Sequence, residues 1–258
     1  MLTELSRAIE GLQAAGAMNA SSRAIVSTDW PGIDDALCGG LTHGLHEWFG
    51  PAYGDVPSPP PGPWSPPLSL VIQLARRALH TRKTDARVAW IGRRCFPYPA
   101  VLSMGRSQGE DVLAGSLFID AENPASRLWS IEQAIGSSVV GVVVADGSRF
   151  NMAATRRIQL RAHAQSVFVF LLRPSSELVE LSAAQTRWLI RYERSAFVGR
   201  PLFVKACWRV ELWRCKGVRS LTERAVWVLE RDRATRAVRL SAELAHPAID
   251  DQTARQTA

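Results

Sequence analysis

The sequence predicts an α/β fold: a mostly parallel central sheet covered by helices, extended by C-terminal antiparallel strands and preceded by a short N-terminal helix. Three observations predict it. Residues Val139 to Ala145 form a near-continuous apolar run ending in Asp146, as a central parallel strand buried on both faces requires. On either side of that run, apolar strand segments alternate with helical patterns, which implies parallel strands joined by right-handed crossovers. After Pro174 the pattern changes to strict alternation, which suits antiparallel strands added to one edge of the sheet.

Residues 1–16 read as a helix, because Leu2, Leu5, Ile9 and Leu12 recur at helical spacing and Gly16 ends the pattern. A helix this short is not stable alone in water, so its stripe must dock. A partner protein or a second copy of the chain is the expected occupant, with the chain's own core as the alternative. Trp30 to Leu37 reads as an entry segment with one helical turn, and Leu41 to Phe49 as a strand. A helix follows from Leu68 to His80, with Leu70, Val71, Leu74, Ala75 and Ala78 on its buried side.

Val88 to Ile91 is a buried strand, and Phe96-Pro97-Tyr98-Pro99 a turn. Ala114 to Ile119 contains a further strand, ended by Asp120. Asn123 is a strong N-cap with Pro124 at the first helical position, and that helix turns Leu128, Ile131 and Ile135 inward before Gly136. A helix through Thr155 and Gln165 precedes the buried strand Val167 to Leu172. Beyond Pro174, the segments Trp188–Tyr192, Val204–Arg214, Val226–Glu230 and Val238–Ser241 alternate, with Trp208, Val210 and Leu212 on one face and Arg209, Glu211 and Trp213 on the other.

This places an N-terminal helix and linker at 1–24, one α/β domain at 25–246 with a proline-rich insertion at 51–67, and a disordered tail at 247–258. The 258 residues are 47% hydrophobic, enough for a sizeable core, and no stretch has the length and apolarity of a membrane span. The N-terminus lacks the basic and apolar regions of a secretory signal, so a cytoplasmic location is expected. Cys38, Cys95, Cys207 and Cys215 form no C-x-x-C pair, which favours reduced thiols. His43 and His46 have a spacing that a metal can bridge, but beside Gly44 they read as turn and strand residues; no metal or cofactor is expected. The formal charge is +7, and from Arg187 to Leu240 twelve Arg and two Lys stand against four Glu and one Asp, an excess of nine positive charges. DNA or an acidic partner surface fits that excess.

Gly44-Leu45-His46-Glu47-Trp48-Phe49-Gly50-Pro51 has the form of a strand leading into a phosphate-binding loop, yet no Gly-Lys-Ser or Gly-Lys-Thr occurs in the chain. Such a loop needs backbone N–H groups, a Lys for the phosphates and a hydroxyl for Mg²⁺ at a helix start. Here Gly50, Pro51 and Gly54 stand at a degenerate loop position, and seven of the eleven residues from 57 to 67 are proline. Proline offers no amide to an anion. The expectation is a chain without catalytic residues.

The order of these elements resembles the RecA-like core, with Gly44–Pro51 at the approach to the phosphate loop and Asp146 ending the strand whose carboxylate helps hold Mg²⁺ in such ATPases. An acidic residue is expected after Val88–Ile91 by that resemblance, and Gly92-Arg93-Arg94 stands there instead. Asp146 is therefore vestigial, and an Asp at a strand end is also a common helix-entry residue. Leu128-Trp129-Ser130-Ile131-Glu132-Gln133-Ala134-Ile135 resembles a characteristic helix of the ImuA family of bacterial translesion-synthesis accessory proteins. So do Arg157-Ile158-Gln159-Leu160 with Ala162, Leu172-Arg173-Pro174 and Trp208 to Cys215.

That resemblance implies a role in SOS-induced mutagenesis, alongside an ImuB-type inactive Y-family polymerase relative and a second, error-prone DnaE-type polymerase. RecA itself is a further candidate partner, and weak DNA contact another. The partner candidates are the stripe Leu2, Leu5, Ile9 and Leu12. Partner or DNA candidates are Arg156, Arg157 and Arg161 on one helix and Arg231, Arg233, Arg236 and Arg239 around the last hairpin. The other readings are a SulA-type cell-division inhibitor and a RecA-like ATPase or recombinase with an atypical nucleotide site.

Overall fold

The computed structural model describes residues 25–51, 64–81, 86–102, 112–193, 206–217, 225–232 and 237–241. The expected N-terminal helix with Leu2, Leu5, Ile9 and Leu12, most of the proline-rich insertion with Gly54, the residues Arg233 and Arg236, and the tail from 247 lie outside the described residues.

The strands are β1 (Ile25–Val26), β2 (Leu41–Thr42), β3 (Gly44–Gly50), β4 (Arg87–Ile91), β5 (Ser116–Ile119), β6 (Val140–Asp146), β7 (Phe168–Pro174), β8 (Thr186–Glu193), β9 (Cys207–Cys215), β10 (Val226–Arg231) and β11 (Val238–Leu240). The helices are α1 (Pro31–Ala36), α2 (Leu68–His80), α3 (Pro99–Leu102), α4 (Pro124–Gly136) and α5 (Met152–Ala164). β1 and β2 form a small antiparallel pair. The other nine strands make one sheet in the order β11-β10-β9-β8-β3-β7-β6-β4-β5. This is the α/β architecture expected of a RecA-like core, with its antiparallel extension at one edge.

Alternation along each central strand divides two cores. Val142 and Val144 face one side with Trp90, Phe168, Phe170, Trp48 and Trp188, where α2 inserts Leu70, Val71, Leu74 and Ala78. Val143 and Ala145 face the other, with Ala89, Ile91, Val169 and Leu171, under Ile131 and Ile135 of α4 and Ile158 and Ala162 of α5. All seven residues of β6 are buried, as a strand covered on both faces must be. Both helices of the second layer start as their sequences require. The Asn123 carboxamide oxygen accepts from the Ser126 N–H at 2.8 Å with Pro124 in the first turn, and the Asn151 oxygen accepts from the Ala154 N–H at 3.0 Å.

One expectation changes. β8 belongs to the alternating C-terminal set but runs parallel to β3, with His46 opposite Thr186 and Phe49 opposite Leu189. The antiparallel extension begins only at the β8–β9 pair. After β7 the chain turns through a 3₁₀ segment at Ser175–Glu177 and returns to the start of β3, where the Gln185 N–H donates to the Leu45 carbonyl at 2.7 Å. Alternation reports which faces a strand presents, not the direction of its neighbour, so this parallel start was not encoded in the pattern.

Candidate functional site

The C-terminal ends of the parallel strands β3, β7, β6 and β4 bring together Gly50, Pro174, Asp146 and Ile91, at the edge where open α/β sheets place their ligands. At Gly50 the chain that returns from the proline-rich insertion closes over the strand end. The Ser65 N–H donates to the Pro51 carbonyl at 3.2 Å, and a Cβ on Gly50 would lie 2.0 Å from the Ser65 carbonyl oxygen. Glycine is required at position 50 for this backbone contact rather than for a turn. Pro66 and Pro67 then open α2 without amide hydrogens. The Leu68 N–H donates to the Pro66 carbonyl at 2.8 Å, and the Leu70 and Val71 N–H groups donate to the Pro67 carbonyl at 3.2 and 3.3 Å. The donors that a helix N-terminus offers to phosphate are thus largely absent or taken up by the chain itself.

Asp146 is buried and committed to its own surroundings. Its Oδ1 accepts from the Ser148 N–H at 2.9 Å and from the Ser148 hydroxyl at 2.6 Å. Its Oδ2 lies 3.8 Å from Arg127 Nη1 and 3.9 Å from Arg94 Nε. Arg127 in turn donates to the Glu122 carbonyl at 2.6 Å and the Ser148 carbonyl at 2.9 Å, tying α4 to the turn after β6. Asp146 is not the helix-entry residue that its position suggested, because the cap of α5 is Asn151, five residues on. It orders the turn instead. Gly92, with φ of 87°, allows the approach of β4: a Cβ there would be 3.1 Å from that of Asp146. Beneath the carboxylate lies buried Cys95, whose thiol is pushed well above its ordinary range by burial and by the Asp146 charge.

A second charged group was not assigned from the sequence. Glu47 of β3 accepts from Arg173 Nη1 of β7 at 2.8 Å and from Arg187 Nε of β8 at 2.7 Å. Glu47 and Arg173 are fully buried, and Arg187 is 5% exposed. Arg173 also donates to Glu177 at 2.9 and 2.8 Å, to Glu180 at 3.0 Å and to the Phe150 carbonyl at 2.9 Å. Both guanidinium groups lie over the Phe49 ring, at 5.6 and 4.8 Å from its centre. The available signal was a carboxylate inside a mostly apolar strand, three residues before Gly50.

His46 is buried, and among the described residues no group of three or more His, Cys, Asp or Glu is placed to hold a metal ion. Its Nε2–H donates to the Thr42 carbonyl at 2.8 Å, so its Nδ1 accepts from the Thr186 hydroxyl at 2.8 Å, and Trp188 Nε1–H donates to that hydroxyl oxygen at 2.7 Å. Burial lowers its pKa to about 4. His43 packs against Phe168 with ring centres 4.5 Å apart.

The candidate arginines separate. Arg157 and Arg161 both face α4: Arg157 pairs with Glu132 at 2.7 Å, and a Cβ on Gly136 would meet Arg161 Nη2 at 3.0 Å. Arg161 therefore lies at the C-terminus of α4, where a cation suits the helix dipole. Arg156 turns toward the end of β9, where burial and the charges of Arg214 and Arg156 hold the Lys216 ammonium below its ordinary range. Arg239 lies 3.9 Å from Asp232, and Arg231 lines a groove beside α2, on the face of the sheet opposite α5. The described arginines of the two clusters form no continuous basic track.

Among the described residues no helix is long and apolar enough to cross a membrane. No protein-family profile matches the chain. The chain is similar to the protein named "Protein ImuA" from two strains of Caulobacter vibrioides, NA1000 / CB15N and ATCC 19089 / CIP 103742 / CB 15. Each is 29% identical over 228 residues, covering 81% of this chain and 84% of the relative. This likeness supports the ImuA-family assignment suggested by the helix and strand motifs.

Proposed function

We propose that this chain is a non-catalytic accessory protein of SOS-induced, error-prone translesion DNA synthesis. Its RecA-like core acts as an adaptor for an ImuB-type inactive polymerase relative and a second DnaE-type polymerase. The observation that carries the reading is the likeness to Protein ImuA along 81% of the chain. Within the fold, the reading of a pseudo-ATPase is supported by the Ser65 carbonyl against Gly50, by the proline start of α2 and by Asp146 held between Ser148 and two arginines. A core without a phosphate loop retains its helices and edge strands as surfaces for other proteins.

The test is capture of the tagged chain from DNA-damaged cells, followed by reconstitution with the purified polymerase relative. Co-elution of the two purified proteins supports the adaptor reading. ATP turnover by the purified chain, or stoichiometric binding to a cell-division protein with no polymerase relative captured, rules it out.

A further inference from the structure

A groove of about 1030 Å³ runs along the outer face of α2. Its floor is Ile72, Gln73 and Arg76. Its walls are the β1 segment from Ile25, the turn at Tyr98, and the β10–β11 hairpin at Arg231 and Val238. Gln73 fixes the hairpin wall, accepting from the Val238 N–H at 3.0 Å and donating to the Val238 carbonyl at 3.3 Å. Two apolar side chains stand open at the rim, Tyr98 at 75% and Ile25 at 46% exposure. The lining is also positive, with Arg76, Arg77 and Arg231 against one carboxylate, Asp29, which pairs with Arg77.

We propose that the N-terminal residues 1–16 of the same chain occupy this groove, laying Leu2, Leu5, Ile9 and Leu12 against Ile25, Tyr98 and Ile72. Four arguments lead there, none of which depends on the adaptor reading. The chain enters the described fold at Ile25, which is itself a wall of the groove, so the preceding residues start at the site. Twelve residues separate Leu12 from Ile25, and these thirteen Cα-to-Cα steps reach at most about 45 Å, while α2 is about 20 Å long, so the tether spans the groove easily. On the helical pattern of the sequence, Glu4 and Glu10 flank the apolar stripe on either side while Arg7 lies opposite it, which complements a groove lined by Arg76, Arg77 and Arg231. Tethering gives an effective concentration on the order of millimolar, which favours the chain's own stripe over a free partner at cellular concentrations. Nucleic acid fits less well, because Ile25 and Tyr98 stand open at the rim and Asp29 would face the phosphates.

Hydroxyl-radical footprinting of the full-length chain tests this, with the modification rates of Tyr98 and Trp129 each normalised to its free-peptide reactivity. Trp129, 64% exposed on α4, lies on the opposite face and serves as the control. With the groove covered, Tyr98 reacts at least about fivefold more slowly than Trp129. In Leu5→Asp/Ile9→Asp the two rates become similar, and light scattering shows a monomer for both proteins at low micromolar concentration. If Trp129 also speeds up in that variant, the fold has been disturbed, and Leu5→Ala/Ile9→Ala replaces it. Rapid modification of Tyr98 in the unaltered chain overturns the proposal. So does protection that survives the variant, which assigns another occupant, or protection confined to a dimer, which assigns a second copy.

Discussion

Arg173 of β7 and Glu47 of β3 form an ion pair at 2.8 Å in which neither side chain is exposed to solvent. Glu47 carries a second arginine, Arg187 of β8, at 2.7 Å. Glu47 thus bridges two buried cations, of which Arg173 also pairs with Glu177 and Glu180, and joins the three adjacent strands at the middle of the sheet.

Glu47 should accordingly be the most sensitive member of that group. In Glu47→Gln the buried Arg187 loses its carboxylate partner while Arg173 keeps Glu177 and Glu180, and the expected loss of stability is about 3–5 kcal/mol. Arg187→Met leaves Glu47 paired with Arg173 and should cost clearly less. Urea denaturation of both variants checks the order; equal losses would mean that Glu47 and Arg187 act only as a local pair.

Gly50→Ala should destabilise the chain by about 1–3 kcal/mol, because the new Cβ falls on the Ser65 backbone rather than on a movable side chain. The loss should be accompanied by faster proteolysis within the 51–67 insertion. Unchanged stability and cleavage would show that the Gly50–Ser65 contact contributes nothing to holding the returning chain.

Isothermal calorimetry with Mg-ATP or Mg-ADP should give no saturable binding at micromolar concentrations, and hydrolysis should stay at background. The expectation rests on the missing Lys and hydroxyl after Gly50 and on the few amides left unpaired at the start of α2. A low-micromolar isotherm would overturn it.

Acid should weaken the fold through His46 before carboxylates titrate in bulk. Its folded pKa of about 4 lies below the ordinary 6.5, so the unfolded chain takes up the proton first. The stability due to neutral His46 is fully present above pH 6.5 and is lost as pH falls toward 4, by at most about 3 kcal/mol. The melting temperature should fall across that window, and His46→Gln should flatten the profile there. A parallel profile in the variant would assign the acid sensitivity to other groups.

For the arginines of α5, Arg156→Glu should weaken capture of the polymerase relative more than Arg157→Glu, since Arg157 already pairs with Glu132. Fluorescence anisotropy with labelled single-stranded DNA should show no binding at moderate salt. If the unaltered chain binds there and Arg156→Glu/Arg157→Glu/Arg161→Glu does not, the surface contacts DNA rather than protein.

Local pattern was enough to locate most elements because each reports a short-range cause. Val140–Ala145 is apolar because both faces of its strand are covered, and Asn123 caps its helix because it accepts a hydrogen bond from three residues ahead. The missing Gly-Lys-Ser/Thr was likewise visible without coordinates. Relationships across the sheet were not. The parallel start of β8 beside β3, the convergence of Arg173 and Arg187 on Glu47, and the separation of Arg156 from Arg157 and Arg161 depend on which strands and helices become neighbours. Glu47 and Arg173 are 126 positions apart. Their pairing follows from strand order, which long-range packing selects and no local window contains. The same holds for the groove beside α2, whose walls come from β1, the Tyr98 turn and the last hairpin and meet only in the folded chain.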